Sequence, residues 1–235
     1  MPKLGEALKA MVGEGEEALQ VKGRPESILM SATRQRIFEH LCHYPASRLR
    51  PIARGLGMNV TVVQFHLRKM VQHQYLAVGE VAGSSVYYPT DLRPTEEDIH
   101  ILAMLAEESR REILKMVVEK PGLTPAELAP EIGRSVAAVR KLTLQMESRG
   151  LLAVIVDGRH NRLFPGEGLP KLEKKTRQLL RGMKSRLMRR LARDRLSPEV
   201  ELDARREYVI ILNVGGKHYR LSLPSDTLMP WLPLR

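Results

Sequence analysis

Gln64, Phe65 and Arg68 lie on one side of a stretch whose other side is Val63, Leu67 and Met70. Steps of three and four return to the same face of a helix, so the stretch divides into a polar stripe and an apolar one. Asn59 and Thr61 extend the polar stripe toward its start. The chemistry there suits a flat, hydrogen-bonding, phosphate-bearing partner. A Gln64 amide can bond both ways along an adenine edge, an Arg68 guanidinium fits guanine or a phosphate, and Phe65 can meet a thymine methyl. Ser135, Ala137, Arg140 and Lys141 repeat the arrangement 76 residues later. The plainer alternative is a solvated helix face, which is what surface charge usually is.

The elements that would position these residues are duplicated. Shifting the sequence by 76 positions aligns Arg34–Pro89 with Arg110–Pro165 without a gap, with 12 identities in 56 pairs, among them Ile37/Ile113, Gly57/Gly133, Val63/Val139 and Met70/Met146. Other pairs exchange one apolar residue for another, such as Phe38/Leu114 and Ile52/Leu128. A unit this long folds by itself, so the pattern reads as a duplicated small domain and not a solenoid. In the first copy, helices are expected over 33–43, 48–56 and 59–74, the second ended by Gly57 and the third capped by Asn59. A hairpin follows around Ala82-Gly83-Ser84-Ser85. The second copy gives helices over 109–119, 124–132 and 135–148 and a hairpin around Asp157-Gly158-Arg159-His160. Thr124 with Glu127 has the spacing of a capping box.

Three helices followed by a β-hairpin is the winged helix-turn-helix pattern. Gly57-x-Asn59-x-x-x-Val63-x-x-His66-Leu67-Arg68-x-Met70 resembles the turn and recognition helix of ArsR- and MarR-like regulators. Two such modules in one chain resemble the two-helix-turn-helix regulators of archaea. The resemblance covers residues 31–165, 57% of the chain. It implies that each third helix enters a major groove and that each hairpin wing lies on the phosphate backbone or tips an Arg into the minor groove. The second wing carries Arg159 and Arg162, whereas Gly83-Ser84-Ser85 in the first is uncharged. The second wing is therefore expected to contribute more affinity.

Composition points the same way. Lys+Arg total 38 against 27 Asp+Glu, a formal charge of +11, and a polyanion is the natural partner for such a field. Residues 169–195 are the most basic stretch, with Lys174, Lys175 and Arg181 as candidate phosphate contacts. Leu172, Leu179 or Leu180, Met183, Leu187 and Leu191 recur there at helical steps. That seam is expected to pair with a second copy or to pack on the chain's own core; a membrane-surface role is weaker, because Trp and Phe are missing from it. Beyond Ser197-Pro198, residues 207–214 and 217–223 flank Gly215-Gly216 and read as a β-hairpin. A lone hairpin is marginal, so it is expected to join a sheet, pack on the long helix or pair across a dimer, with Trp231 as an apolar plug.

One cysteine, Cys42, allows no internal disulfide and no multi-cysteine metal site. Its neighbours His40 and His43 fall on different helix faces, so no metal is expected. No Walker loop, His-Glu-x-x-His or Gly-x-Ser-x-Gly occurs, and Gly13-x-Gly15 has no strand before it. The expectation is therefore no enzyme, no cofactor and no catalytic residue. Residues 1–20 match neither a signal peptide nor a membrane span, which places the chain in the cytoplasm without membrane association.

The fold class expected is mainly α with small β-wings (α+β). Its divisions are an N-terminal extension at 1–30, winged helices at 31–92 and 93–167, a basic amphipathic helix at 168–196 and a C-terminal interaction unit at 197–235. The expected partners are double-stranded DNA and, as a homodimer, a second copy. The expected function is transcriptional regulation, with non-specific architectural or replication-associated DNA binding, or a protein-interaction scaffold, as alternatives.

Overall fold

The 76-residue repeat is reproduced element by element. A computed structural model of the chain describes residues 25–202 and 208–232; most of the expected N-terminal extension, including Gly13 and Gly15, lies outside them. In the first module, α1 (Ala32–His43), α2 (Leu49–Leu56) and α3 (Val60–Gln72) precede the wing strands β1 (Leu76–Val81) and β2 (Ser84–Pro89). A helix without a counterpart in the sequence reading, α4 (Glu96–Leu105), comes next. The second module repeats the plan with α5 (Glu108–Glu119), α6 (Pro125–Ile132), α7 (Val136–Glu147), β3 (Leu152–Asp157) and β4 (His160–Pro165). Even an isolated bridge repeats in register: Ser47 pairs with Tyr87, and Leu123 with Leu163.

Burial explains why both copies keep this geometry. Ile37, Phe38, Leu41, Ile52, Val63, Leu67 and Met70 are buried in the first, and Ile113, Leu114, Val117, Leu128, Val139 and Met146 in the second. Each such side chain contributes about 1.5–3 kcal/mol through removal from water. A polar residue, Thr143, takes the place of Leu67 in this stripe, and its hydroxyl donates to the Arg140 carbonyl at 2.9 Å. Both second helices end on a left-handed glycine, Gly57 at φ 63° and Gly133 at φ 64°. A side chain there would be strained, and the sharp turn it permits sets the angle at which the third helix leaves.

The helix starts differ between the copies. Thr124 and Glu127 close the capping box: the Glu127 N–H donates to the Thr124 hydroxyl, and the Thr124 N–H donates to the Glu127 carboxylate at 2.7 Å. At the matching position Arg48 makes no side-chain cap. Asn59 and Ser135 do cap the third helices, accepting from the Thr61 N–H at 2.8 Å and the Ala138 N–H at 3.2 Å. Helix α4 opens on a similar box, in which Asp98 accepts from both the N–H and the hydroxyl of Thr95.

After the second wing, α8 (Gly168–Arg193) runs for 26 residues and leads to three strands, β5 (Pro198–Leu202), β6 (Tyr208–Val214) and β7 (Lys217–Leu223). The expected C-terminal hairpin is β6–β7, and β5 extends it to a three-stranded antiparallel sheet. The apolar run needed cover on both faces, and it has it: Val209, Ile210, Leu212, Leu221 and Leu223 are buried. Trp231 is only half-buried; the residues buried around it are Leu228, Met229 and Leu232.

The chain divides into two compact units. One comprises the described residues up to Ala103 with Arg181–Ser225, and the other Met104–Leu180 with the described residues from Asp226 on. In the first unit, the end of α8 and the C-terminal sheet are fastened to the first winged helix. Arg186 donates to the carbonyls of Asp91 and Leu92, and Arg190 pairs with the Asp91 carboxylate at 3.1 Å. The Tyr75 hydroxyl donates to Asp194 at 2.8 Å, and the Ser222 N–H on β7 donates to Glu39 on α1 at 2.7 Å. Burial, reinforced by Asp194, pushes the Tyr75 phenol far above its ordinary range. Burial also raises the Asp91 carboxyl, against the pull of Arg190 and Arg186. Within this unit the α8 residues Met183, Leu187 and Leu191 are buried, as are Leu172 and Leu180 in the other.

The capping box yields a direct test. Thr124→Ala should lower unfolding stability by about 0.5–2 kcal/mol in urea denaturation. The Thr124 bonds hold the Glu127 carboxyl below the usual carboxylate range. Their contribution is therefore full above that range and lost as pH falls through it, so the penalty for Thr124→Ala should shrink in acid.

Candidate nucleic-acid interface

With Val63, Leu67 and Met70 buried, the opposite side of α3 faces outward. Asn59, Thr61, Phe65 and Arg68 are exposed there, and Gln64 is half-buried. The sequence reading did not include Val62 or Lys69, which widen this face: Val62 is exposed, and the Lys69 ammonium stands 4.9 Å from the Phe65 ring centre. Helical rotation places both about a quarter-turn from Thr61, a signal available in the sequence. Burial, then Arg34 and Lys69, push the His66 imidazole below the ordinary histidine value.

The second module presents Ser135, Ala137, Arg140 and Lys141 on α7, all exposed. Leu144 is 59% exposed in the middle of this face, where α3 has Arg68. Beside it, a cleft of about 390 Å³ lies between the start of α5 and α7, with Arg134 and Lys141 in its wall. Behind them the buried Arg110 donates to the Gln145 amide oxygen and pairs with Glu107. Asn59 and Ser135 each carry a capping bond, so part of their hydrogen-bonding capacity is committed to holding the helix start.

The two wing arginines differ. Arg159 is exposed at the turn, whereas Arg162 donates to Asp157 at 2.6 Å and to the Gly122 carbonyl at 3.1 Å. The pair keeps both groups ionised: the Asp157 carboxyl is held below its usual range and the Arg162 guanidinium above its own. Any phosphate contact by Arg162 would compete with Asp157. Ile155 and Val156 are also exposed on β3, at 54% and 73%.

On α8, Lys174 and Arg181 are exposed and Lys175 is half-buried. Other cations of this helix have internal partners. Arg177 pairs with Glu173 at 2.7 Å, Lys184 donates to the Ser225 carbonyl, and Arg186 and Arg190 fasten the first unit. Cys42 is buried, and burial pushes its thiol well up. Among the described residues no group of three or more His, Cys, Asp or Glu is placed to hold a metal ion, and no helix is long and apolar enough to cross a membrane.

The division of α3 into two faces can be checked without any ligand. Phe65→Ala should change unfolding stability by less than about 0.5 kcal/mol, as exposed positions do. Val63→Ala, two residues away, should cost upward of about 1 kcal/mol from lost burial and the cavity left behind. Equal costs in chemical denaturation would contradict the assignment.

Comparison with known proteins agrees with this geometry. Residues 106–153 match the family described as winged helix-turn-helix DNA-binding. An uncharacterized HTH-type transcriptional regulator of Methanocaldococcus jannaschii is 22% identical over 149 residues, 63% of this chain and 37% of that protein. The chain therefore spans little more than a third of that relative's length. The crystal structure of MepR, a transcription regulator of the Staphylococcus aureus multidrug efflux pump MepA, aligns with 38% of this chain and 65% of that one, at 20% identity and a TM-score of 0.25. The chain carries two winged helix-turn-helix modules, the second of them matched by the winged helix-turn-helix DNA-binding family.

Proposed function

We propose that this protein is a transcriptional regulator that binds double-stranded DNA with α3 and α7 in the major groove. One observation carries the reading: each third helix buries one stripe and leaves the other open. On α3 the open residues include Thr61, Phe65 and Arg68, and on α7 they include Ala137, Arg140 and Lys141. Helix width matches the major groove, and a chain of formal charge +11 is drawn to phosphates. In this reading Gln64, Arg68, Arg140 and Lys141 meet base edges, with Asn59, Thr61, Phe65 and Ser135 at the margins of the two contacts. Arg159 and, once freed from Asp157, Arg162 touch the backbone or minor groove. Lys174, Lys175 and Arg181 neutralise phosphates. The relative's description as an HTH-type transcriptional regulator supports the regulatory role.

A homodimer remains part of this proposal, and because the apolar seam of the long helix and the core of the C-terminal sheet are buried, it would form through other surfaces. Two reading helices in one chain supply what single-module proteins obtain by pairing. Binding as one chain per site is the simpler form of the proposal.

Electrophoretic mobility shift with genomic fragments and excess random competitor tests it. A regulator should retain a subset of fragments, a non-specific architectural binder should lose all to competitor, and a protein scaffold should shift none. For a retained fragment, Arg140→Ala with Lys141→Ala should weaken binding by about 1–3 kcal/mol for each good base contact removed. Unchanged affinity would take α7 out of the groove.

A further inference from the structure

The duplicated backbone carries opposite charge patterns. From residue 48 to 72, the first module has Arg48, Arg50, Arg54, Arg68 and Lys69 and no acidic residue. The matching span, 124 to 148, sets Glu127, Glu131 and Glu147 against Arg134, Arg140 and Lys141. The contrast is greatest on the second helix. Arg50 and Arg54 stand one turn apart on α2, both exposed, while Ile52 and Ala53 are buried. Their counterparts on α6 are Ala126 and Pro130, flanked by the exposed Glu127 and Glu131.

Internal structure gives no reason for the two arginines. Arg186 and Arg190 are tied to carbonyls and a carboxylate, but the side chains of Arg50 and Arg54 make no hydrogen bond or ion pair among the described residues. Arg50 also opposes helix stability: a cation near a helix start works against its dipole, and α2 has no acid in its first turn and no side-chain cap, whereas Arg54 in the last turn carries no such cost. The same fold has a better local solution at Thr124 and Glu127. A local rule broken in one copy and kept in the other marks a requirement outside folding.

Resting on the DNA-binding reading above, we infer that the α2–α3 surface of the first module is the phosphate clamp of this protein. Arg50 and Arg54 grip the backbone of a DNA duplex, and α7 contributes chiefly to discrimination among sequences. Acidic residues on α6 repel phosphates, so the second module cannot grip the backbone in the same way. This reverses the expectation that the basic second wing carries more of the affinity.

Fluorescence anisotropy of the full chain with a random-sequence duplex, across a salt series, tests the inference. Each phosphate contact contributes about 0.9 to the slope of log K against log salt on B-DNA. Arg50→Ala with Arg54→Ala should therefore flatten the slope by about 1.8 and weaken every duplex alike. Arg50→Lys with Arg54→Lys, which keeps both charges, should restore the slope, and circular dichroism should show all variants folded. Arg140→Ala with Lys141→Ala should reduce preference for a target fragment more than it changes the slope. A folded Ala variant with the parent's slope overturns the clamp while leaving DNA binding intact. A parent chain that binds no duplex overturns the DNA-binding reading itself, and the clamp with it.

Discussion

The orientation of each third helix depends on the burial of one narrow stripe. Val63, Leu67 and Met70 in one module, and Val139, Thr143 and Met146 in the other, are in effect inaccessible to water. A helix has no freedom to rotate once one face is fixed at three positions over about two turns. Phe65, Arg68, Arg140 and Lys141 face outward as a consequence of that packing, without bonds of their own to aim them. The left-handed glycines at 57 and 133 complete the constraint by setting where the helix begins. The wing strands follow directly, and Leu76 and Leu152 join the same cores.

A second group of interactions changes the meaning of the basic composition. Net charge describes the whole chain, but a cation's role depends on its neighbours. Arg186, Arg190 and Lys184 work inside the first unit, where they satisfy carbonyls and the buried Asp91. Arginine suits this role because its guanidinium offers several donors in a fixed plane. The cations open to an external polyanion include exposed ones on α2, α3, α7, the second wing and the first half of α8.

Local patterns made much of this legible. The 76-residue shift located five elements in each module to within one or two residues, because the same periodicities occur twice and reinforce each other. The capping box at Thr124 and the N-cap at Asn59 were readable because their partners lie within three residues. Helix α4 left such a signal too, in Thr95 and Asp98, but it lies outside the repeat that guided the reading. Strand β5 was harder. It alternates Glu199, Val200, Glu201 and Leu202, too short a run to stand without its partner β6. The clamp around Asp91 had no local trace. Arg190 meets Asp91 across about a hundred residues of chain, and only tertiary packing brings them together.

Duplication also separates what the fold needs from what a partner needs. Positions that kept their character in both copies, such as Ile37/Ile113, Ala53/Ala129 and Met70/Met146, are buried. Positions that changed charge, such as Arg54/Pro130, Phe65/Lys141 and Arg68/Leu144, are exposed. Packing explains the first group completely and places almost no constraint on the second. If both modules met the same ligand in the same way, their outward faces would be held alike by that ligand. One face instead carries cations and no carboxylate over α2 and α3, beside the exposed Val62 and Phe65, while the other mixes carboxylates, cations and an exposed leucine. Two copies of one scaffold with such different surfaces are better understood as two different contacts than as one contact made twice.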